Sequence, residues 1–439
     1  MAAETLHSAP PTRPANPRVV AAGAVGSIVE YFDFGVYGYV ATILATHFFV
    51  SGDDTAGLLA TLATFAVAFA LRPVGGVVFG HIGDRYGRKN ALAATVVLMA
   101  GASGLIGVLP TYAAIGVGAT AVLVLARCLQ GIAAGGELGG AASFVAEHSP
   151  PERRGLYCST TQTGALVGAL LAALCVSLLN STLGAGAMED WGWRVPFLIA
   201  IPLGVVGLLI RAKLSDTPSF KEAEEAGETG KAGEQARAPF AEALRTHRGP
   251  LLLCVGLSIL LFSAYYVFYV YTNIHLQTVV GLSANVAFWS TSATLAVSAA
   301  CMPLFGALSD RVGRRPVLIG ASVAAILLPL PGFMLFEAGT GWAVLSHIVM
   351  GLIDSALMGV ALSTFAEMFP TRIRYTGIAL GFNLGSAVAG GTSPYLCTWL
   401  VDVTGSALAP AWFVIATALI TLVAAVKLKE TVGAELSGS

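Results

Sequence analysis

The chain has 439 residues, of which 56% are hydrophobic and 11% charged, with a net charge of −1. Soluble proteins carry about 25% charged residues, so a water-soluble enzyme or nucleic-acid binder of this size could not cover its surface. Mean hydropathy is +0.76, and twelve helices of about 22 residues, each long enough to cross a bilayer, fit within the length.

Residues 1–18 are polar and proline-rich, and no short apolar core precedes a cleavage site there. A disordered cytosolic tail is expected, not a signal peptide. Apolar runs follow at 19–46, 56–80, 90–110, 115–146, 155–180 and 194–214, and resume at 249–276, 286–309, 316–336, 341–366, 375–400 and 408–428. The expected architecture is an all-α membrane protein of twelve spans, with an N-terminal six-helix bundle at 19–210 and a C-terminal one at 250–428. Between them, 211–249 carries seven Lys/Arg and seven Asp/Glu, a solvated linker by composition. A second tail, 429–439, closes the chain. The six cysteines sit in apolar stretches without metal-ligand spacing, so they read as packing residues and no metal site is expected.

Of the 24 Lys/Arg, 21 fall in tails and loops on one side if both termini are cytosolic. Arg72, Arg127 and Arg194 are the others. The excess of cations on cytosolic loops sets that orientation, and the location expected is a plasma or bacterial inner membrane.

The halves also repeat in sequence. Gly80-His-Ile-Gly-Asp-Arg-Tyr-Gly-Arg-Lys89 returns 226 residues later as Gly306-Ala-Leu-Ser-Asp-Arg-Val-Gly-Arg-Arg315. Ala146-Glu-His-Ser-Pro150, before span five, is echoed by Ala366-Glu-Met-Phe-Pro370, before span eleven. Duplicated six-helix halves imply a midplane site between them and transport by rocking one half on the other. Positive-inside topology needs only the cations of these loops. Fixed Gly and Asp positions in both copies favour a switchable ion-pair clamp at the cytosolic face, built from Gly80, Asp84, Arg85, Gly87, Arg88, Asp310, Arg311 and Arg314 with Glu147 and Glu367.

These loops resemble the hallmark of the major facilitator superfamily, and Arg127-Cys-Leu-Gln-Gly131 resembles its second motif. Across nearly its whole length the chain is similar to the metabolite:proton symporters, closest to the proline/betaine-type osmolyte symporters. The segments that carry this are Glu30-Tyr-Phe-Asp-Phe-Gly-Val-Tyr-Gly38, Leu71-Arg-Pro-Val-Gly-Gly76, Gly135-Gly-Glu-Leu-Gly-Gly140 and Asp190-Trp-Gly-Trp-Arg-Val-Pro-Phe197. The resemblance implies a monomeric symporter driven by the proton gradient, with no cofactor, whose partners are protons, a small-molecule substrate and lipid. It departs from the osmolyte subgroup at Tyr157-Cys-Ser-Thr-Thr-Gln-Thr-Gly164, where an acid is expected, and in ending soon after span twelve, without a coiled coil.

Charges inside spans are functional candidates, because each is costly in hydrocarbon. In span one Glu30, Asp33 and Tyr37 share a helix face. In span four Arg127 and Gln130 lie at similar depth, so an Arg127–Asp33 or Arg127–Glu30 pair is expected, serving either proton coupling or structure. Glu137, about 15 Å further along that helix, is a second acid, and Arg72 reads as structural. In span seven Tyr265, Phe268 and Tyr269 fall on one α-helical face, suited to a quaternary ammonium or to packing. Asp354 is the midspan acid of the C-half. His347 and His275 read as interfacial. The substrate candidates are a zwitterion such as proline or betaine, bound by Tyr37, Gln130, Tyr265, Phe268, Tyr269 and Asp354, or an organic acid held by Arg127 and Arg72. A non-transporting receptor is the further alternative. Motifs for a membrane enzyme or an ATP-driven pump do not occur, nor does a signal for nucleic-acid binding.

Overall fold

A computed structural model of the chain describes residues 17–50, 53–86, 88–135, 145–146, 149–212 and 246–434. Among the described residues there is no strand, and each expected span holds a helical run. Seven helical runs are long and apolar enough to cross a bilayer, and three further spans are helix pairs bent by more than 40°. The others are Arg88–Val108 in span three and the pair Thr371–Ala389 and Thr392–Thr404 in span eleven. Most of the expected linker and the tail 1–16 lie outside the described residues.

The breaks have local causes. Span nine turns by 45° between Arg314–Leu327 and Pro329–Phe336, where Pro329 has no N–H to give the preceding turn. Span one bends by 63° between Ser27–Tyr39 and Ala41–Phe48. Span six bends by 56° at the π turn Met188–Gly192. In span seven, Arg248–Tyr265 runs into a π turn, Tyr266–Tyr271, before Thr272–Thr278. Span eleven leaves the helix at Gly390 (ψ −93°), where the Phe69 ring of span two lies against it.

Small residues let the helices approach. A Cβ on Gly131 of span four would overlap the Ala68 carbonyl of span two, and one on Gly135 the Arg72 carbonyl. This seam brings Arg127 beside Arg72 and the span-two aromatics. Between halves, span five (Arg154–Leu183) lies along span eight (Ala284–Val312). Gly155 and Gly306 face each other at one end, where a Cβ on either would come within 2.6 Å of the other's carbonyl oxygen. Ser177 and Ser292 pair at 3.0 Å midway, and Ser181 donates to Asn285 at 2.6 Å at the other end.

Depth follows from burial. Of the apolar windows, span ten is 83% buried and span seven 72%, against 44% for spans two, four, five and eight. Spans seven and ten therefore form the interior of the C-half, while side chains such as Leu252 and Leu304 point outward at 71% and 67% exposure. With no water to cover them, outward positions of this kind suit lipid.

The close seam predicts a contrast between two glycines. Gly131→Val should cost about 1–3 kcal/mol by overpacking, read as a lower melting temperature in detergent. Gly101→Ala, at a span-three helix position with no atom within 4 Å of its would-be Cβ, should leave the melting temperature unchanged or higher. Equal melting temperatures for G131V and the wild type would contradict the seam.

Candidate functional site

Span one brings two acids to the buried centre, and each has its own partner. Glu30, 2% exposed, pairs with Arg72 at 3.0 Å. Asp33 accepts from the Ser103 hydroxyl of span three, Ser103 accepts from Gln130 Nε2 at 2.9 Å, and Gln130 Oε1 accepts from Arg127 Nη1 at 2.9 Å. The expected direct pairing of Arg127 with Asp33 or Glu30 is therefore corrected. Arg72 takes Glu30, and Arg127 reaches Asp33 through two neutral side chains. Span two breaks between Asp54–Ala70 and Arg72–Tyr86, and Arg72, which opens the second segment, meets span one at Glu30.

Both guanidiniums lie on aromatic faces. The Arg127 carbon is 4.8 Å from the Phe34 ring centre, 4.3 Å from Tyr37 and 5.1 Å from Phe65. Arg72 is 4.8 Å from Phe34 and 4.4 Å from Phe69. Tyr37 also stacks on Phe65 and donates its hydroxyl to the Thr61 carbonyl at 3.1 Å. Phe34, Tyr37, Phe65 and Phe69 of the N-half thus already serve the protein's own cations. Arg127 Nε and Nη2 and Asp33 Oδ2 have no hydrogen-bond partner among the described residues, although all are buried.

The C-half faces this with rings and, among the described residues, no cation. Tyr265 meets Tyr31 of span one at 5.4 Å, Tyr269 at 5.2 Å and Tyr266 at 4.8 Å. Tyr266 in turn packs on Phe65 and Phe69 at 5.6 and 5.0 Å. Asp354 is fully buried beside Tyr269, with neither carboxylate oxygen hydrogen-bonded among the described residues. The Tyr269 hydroxyl donates to the Gly351 carbonyl at 2.8 Å.

The expected face of Tyr265, Phe268 and Tyr269 is altered by the π turn. The ring cluster is Tyr265, Tyr266 and Tyr269, and Phe268 contributes its carbonyl to His347 at 2.6 Å. Counting at 3.6 residues per turn does not survive a turn of wider pitch. His347 and His275 are not interfacial either. They are 0% and 1% exposed, and their ring nitrogens meet Ser290, Phe268 and Tyr271.

At the basic end, one network joins the halves. Asp310, at the end of span eight, accepts from the backbone N–H groups of Gly155 and Leu156 at 2.8 and 2.9 Å. These amides open the span-five helix, where its dipole favours an anion. Arg314 donates to Asp310 at 2.7 Å and to Glu367 at 3.2 Å, and Arg154 of the N-half meets Glu367 at 3.0 Å. The segment after span twelve completes it. Thr431 donates to Glu367 at 2.7 Å, the Ala434 carbonyl accepts from Arg154 at 3.1 Å, and Glu430 accepts from the Arg314 and Arg315 N–H groups at 2.8 and 3.1 Å. Partial burial works to raise the Glu430 carboxyl, but the N–H groups of Val432, Arg314, Arg315 and Thr431 outweigh it and hold it below the usual range.

Arg311 is exposed at the end of span eight. Gly80, Asp84, Arg85, Gly87 and Arg88, with Glu137 and Glu147, lie outside the residues whose side chains the structure describes. Sequence reading missed Ser103, Tyr31, Tyr266, Arg154, Glu430 and Thr431. Of these only Arg154 carried a signal, lying beside the Ala146–Pro150 repeat. A cavity of about 350 Å³ opens at the opposite end from the basic network, lined by Thr42, Thr46, Phe49, Asp53, Leu58 and Thr278 among others. It lies apart from the buried tyrosines.

The model of the family described as sugar (and other) transporter matches residues 19–438. Over 426 residues the chain is 38% identical to the proline/betaine transporter of Salmonella typhimurium, covering 96% of this chain and 85% of that one. It is 35% identical over 425 residues to the ectoine/proline transporter ProP of Corynebacterium glutamicum, covering 94% and 84%. In fold it is similar to the xylose transporter XylE from E. coli in its partially occluded inward-open conformation, with a TM-score of 0.74, 20% identity, and 94% and 98% of the two chains covered. These relatives are transporters, not enzymes. The chain is thus a multi-pass membrane protein of the major facilitator superfamily, and it belongs to the sugar (and other) transporter family alongside the proline/betaine transporters.

Proposed function

We propose that the chain is a proton-coupled importer of a small zwitterion of the proline or betaine kind. It acts as a monomer in a bacterial inner membrane by alternating access, with the basic end and both termini in the cytosol and the proton gradient as its energy source. The observation that carries this reading is the division of charge at the buried centre. Tyr31, Tyr265 and Tyr269, over whose rings no cation lies among the described residues, and Asp354, whose oxygens have no hydrogen-bond partner there, stand across from an arginine with two open nitrogens. The relatives' names, proline/betaine and ectoine/proline transporter, support the same class.

The ammonium end of the substrate goes to the C-half. Each ring contact contributes about 0.5–2 kcal/mol, and Asp354 supplies the counter-charge. Phe34, Tyr37, Phe65 and Phe69 of the N-half are not available, because Arg72 and Arg127 cover them. The carboxylate end goes to the open Nε and Nη2 of Arg127. Tyr37 and Gln130 hold that guanidinium in place. A proton on Asp33 removes the anion that the Ser103–Gln130 relay anchors, which frees Arg127 for the substrate. Proton and substrate then enter together. Phe268 lines the same helix turn, and Glu30 is committed to Arg72. An organic acid would need Arg72 as well as Arg127, and Glu30 neutralises Arg72 at 3.0 Å.

Asp310, Arg314, Glu367 and Arg154, which contact one another, act as the cytosolic gate. The repeat assigns Gly80, Asp84, Arg85, Gly87, Arg88 and Glu147 to the N-half counterpart, with Arg311 as a flanking cation and Glu137 as a second coupling acid. Opening toward the cytosol breaks the Asp310 contacts with the span-five amides.

Labelled proline or betaine should accumulate in cells expressing the protein, and a protonophore should abolish accumulation. Uptake of di- or tricarboxylates alone would contradict the substrate class. Asp33→Asn should remove proton-driven accumulation and keep substrate exchange across the membrane; accumulation equal to the wild type would exclude Asp33 from coupling. Asp354→Asn should raise the half-saturation concentration about tenfold or more, the effect of losing a contact to a charged group. A half-saturation within twofold of the wild type would move the ammonium elsewhere.

A further inference from the structure

We infer that His347 is a positioning residue for the proposed substrate site, an inference that rests on that reading: it clamps the π turn of span seven through the Phe268 carbonyl and so decides which tyrosine rings face the substrate. His347 belongs to span ten, is fully buried, and uses both ring nitrogens. Nε2 lies 2.6 Å from the Phe268 carbonyl and Nδ1 2.8 Å from the Ser290 hydroxyl of span eight. A carbonyl only accepts, so Nε2 carries the hydrogen, and in the neutral ring Nδ1 accepts from Ser290. One side chain thereby joins spans seven, eight and ten at the turn that carries the tyrosines.

A second clasp lies on the turn itself. Thr272 donates its hydroxyl to the Val267 carbonyl at 2.9 Å, five residues back. Among the described residues, the other hydroxyls that bond a carbonyl of their own helix reach back three or four, as Thr278 does to Ile274 and Thr291 to Ala287. Five is the spacing of a π turn, a form that α-helices adopt rarely and for single turns. The wide turn shifts every following side chain by about one residue's rotation, ~100°. With it, the rings of Tyr265, Tyr266 and Tyr269 meet one another. In an uninterrupted α-helix Phe268 would take a place in that cluster.

Span ten presents the rest of the site on the same face. His347, Gly351 and Asp354 follow at i, i+4 and i+7. The first holds the Phe268 carbonyl, the second takes the Tyr269 hydroxyl at 2.8 Å, and the third is the carboxylate beside Tyr269. Gly351 has no room for a side chain, since a Cβ there would overlap Thr294 and Ser298. Span ten is thus a template against which the π turn is set, with His347 as its peg.

Three variants of the full chain test this: His347→Leu, which cannot hydrogen-bond, His347→Gln, whose amide keeps a donor and an acceptor, and Thr272→Val, which removes only the second clasp. Hydrogen–deuterium exchange in detergent reads the clamp without reference to any substrate. Amides of 266–273 should exchange about tenfold faster in H347L and T272V, with span eight unchanged. Uptake of labelled proline and betaine reads the site. H347L should raise the half-saturation concentration about tenfold and change the ratio between the two substrates, while the maximal rate per folded transporter stays within about twofold. H347Q should restore both. A role in stability alone would lower the amount of active protein and leave half-saturation and the ratio untouched, which would overturn the proposal. So would unchanged exchange over 266–273 in H347L and T272V. If H347L fails to fold, T272V and H347Q still decide the matter. A wild-type protein that accumulates neither substrate would sink the substrate reading, and the exchange result would still judge the clamp.

Discussion

A guanidinium or carboxylate inside a bilayer has no water to turn to, so every partner must come from the protein. The buried centre of this transporter is arranged by that constraint. Arg72 has Glu30 and two rings, and Arg127 has Gln130 and three rings. The relay from Arg127 through Gln130 and Ser103 to Asp33 links one charge to its opposite without a direct contact. At this centre Arg127 Nε and Nη2, Arg72 Nε and Nη1, Asp33 Oδ2 and both oxygens of Asp354 have no hydrogen-bond partner among the described residues. Unmet buried charge is expensive, and a zwitterion joined by a proton has the complementary groups.

The same constraint shapes the helices. Spans one, six, seven, nine and eleven all depart from regular α geometry near the places where charges or rings are delivered. Irregular backbone in a membrane survives where protein buries it and side chains take up its carbonyls. In span seven His347 and Thr272 do this. At the basic end, Asp310 meets the first amides of span five, so a helix terminus becomes part of the contact between halves. His347 and Asp310 each tie helices together through such polar contacts, while Thr272 secures span seven from within.

Much of this was legible in the sequence. Hydropathy located the spans, because the bilayer demands about twenty apolar residues each time. The repeat singled out Asp310, Arg314 and Glu367, which do meet in one network. Pairing inside the bundle was not legible. Helical periodicity assigns Glu30, Asp33 and Arg127 a face and a depth, but not a neighbour, and the Arg72–Glu30 pair is a contact between distant segments. Ser103 sits in a stretch of small residues that reads as packing. Tyr266 and Phe268 exchanged roles because a single π turn defeats a 3.6-residue count. His347 and His275 were placed by distance from the span ends, whereas burial beside fixed acceptors decides what they do.

The central claim is that the proton and the substrate are taken up at one charge relay, with Asp33 as the proton's seat. Calorimetry of substrate binding to the purified protein, repeated in buffers of different ionisation enthalpy, counts the protons taken up on binding. With proline or betaine as ligand, the wild type should take up about one proton near neutral pH. Asp33→Asn should bind the same ligand and take up none. Proton uptake by the Asp33→Asn protein equal to that of the wild type would contradict the account.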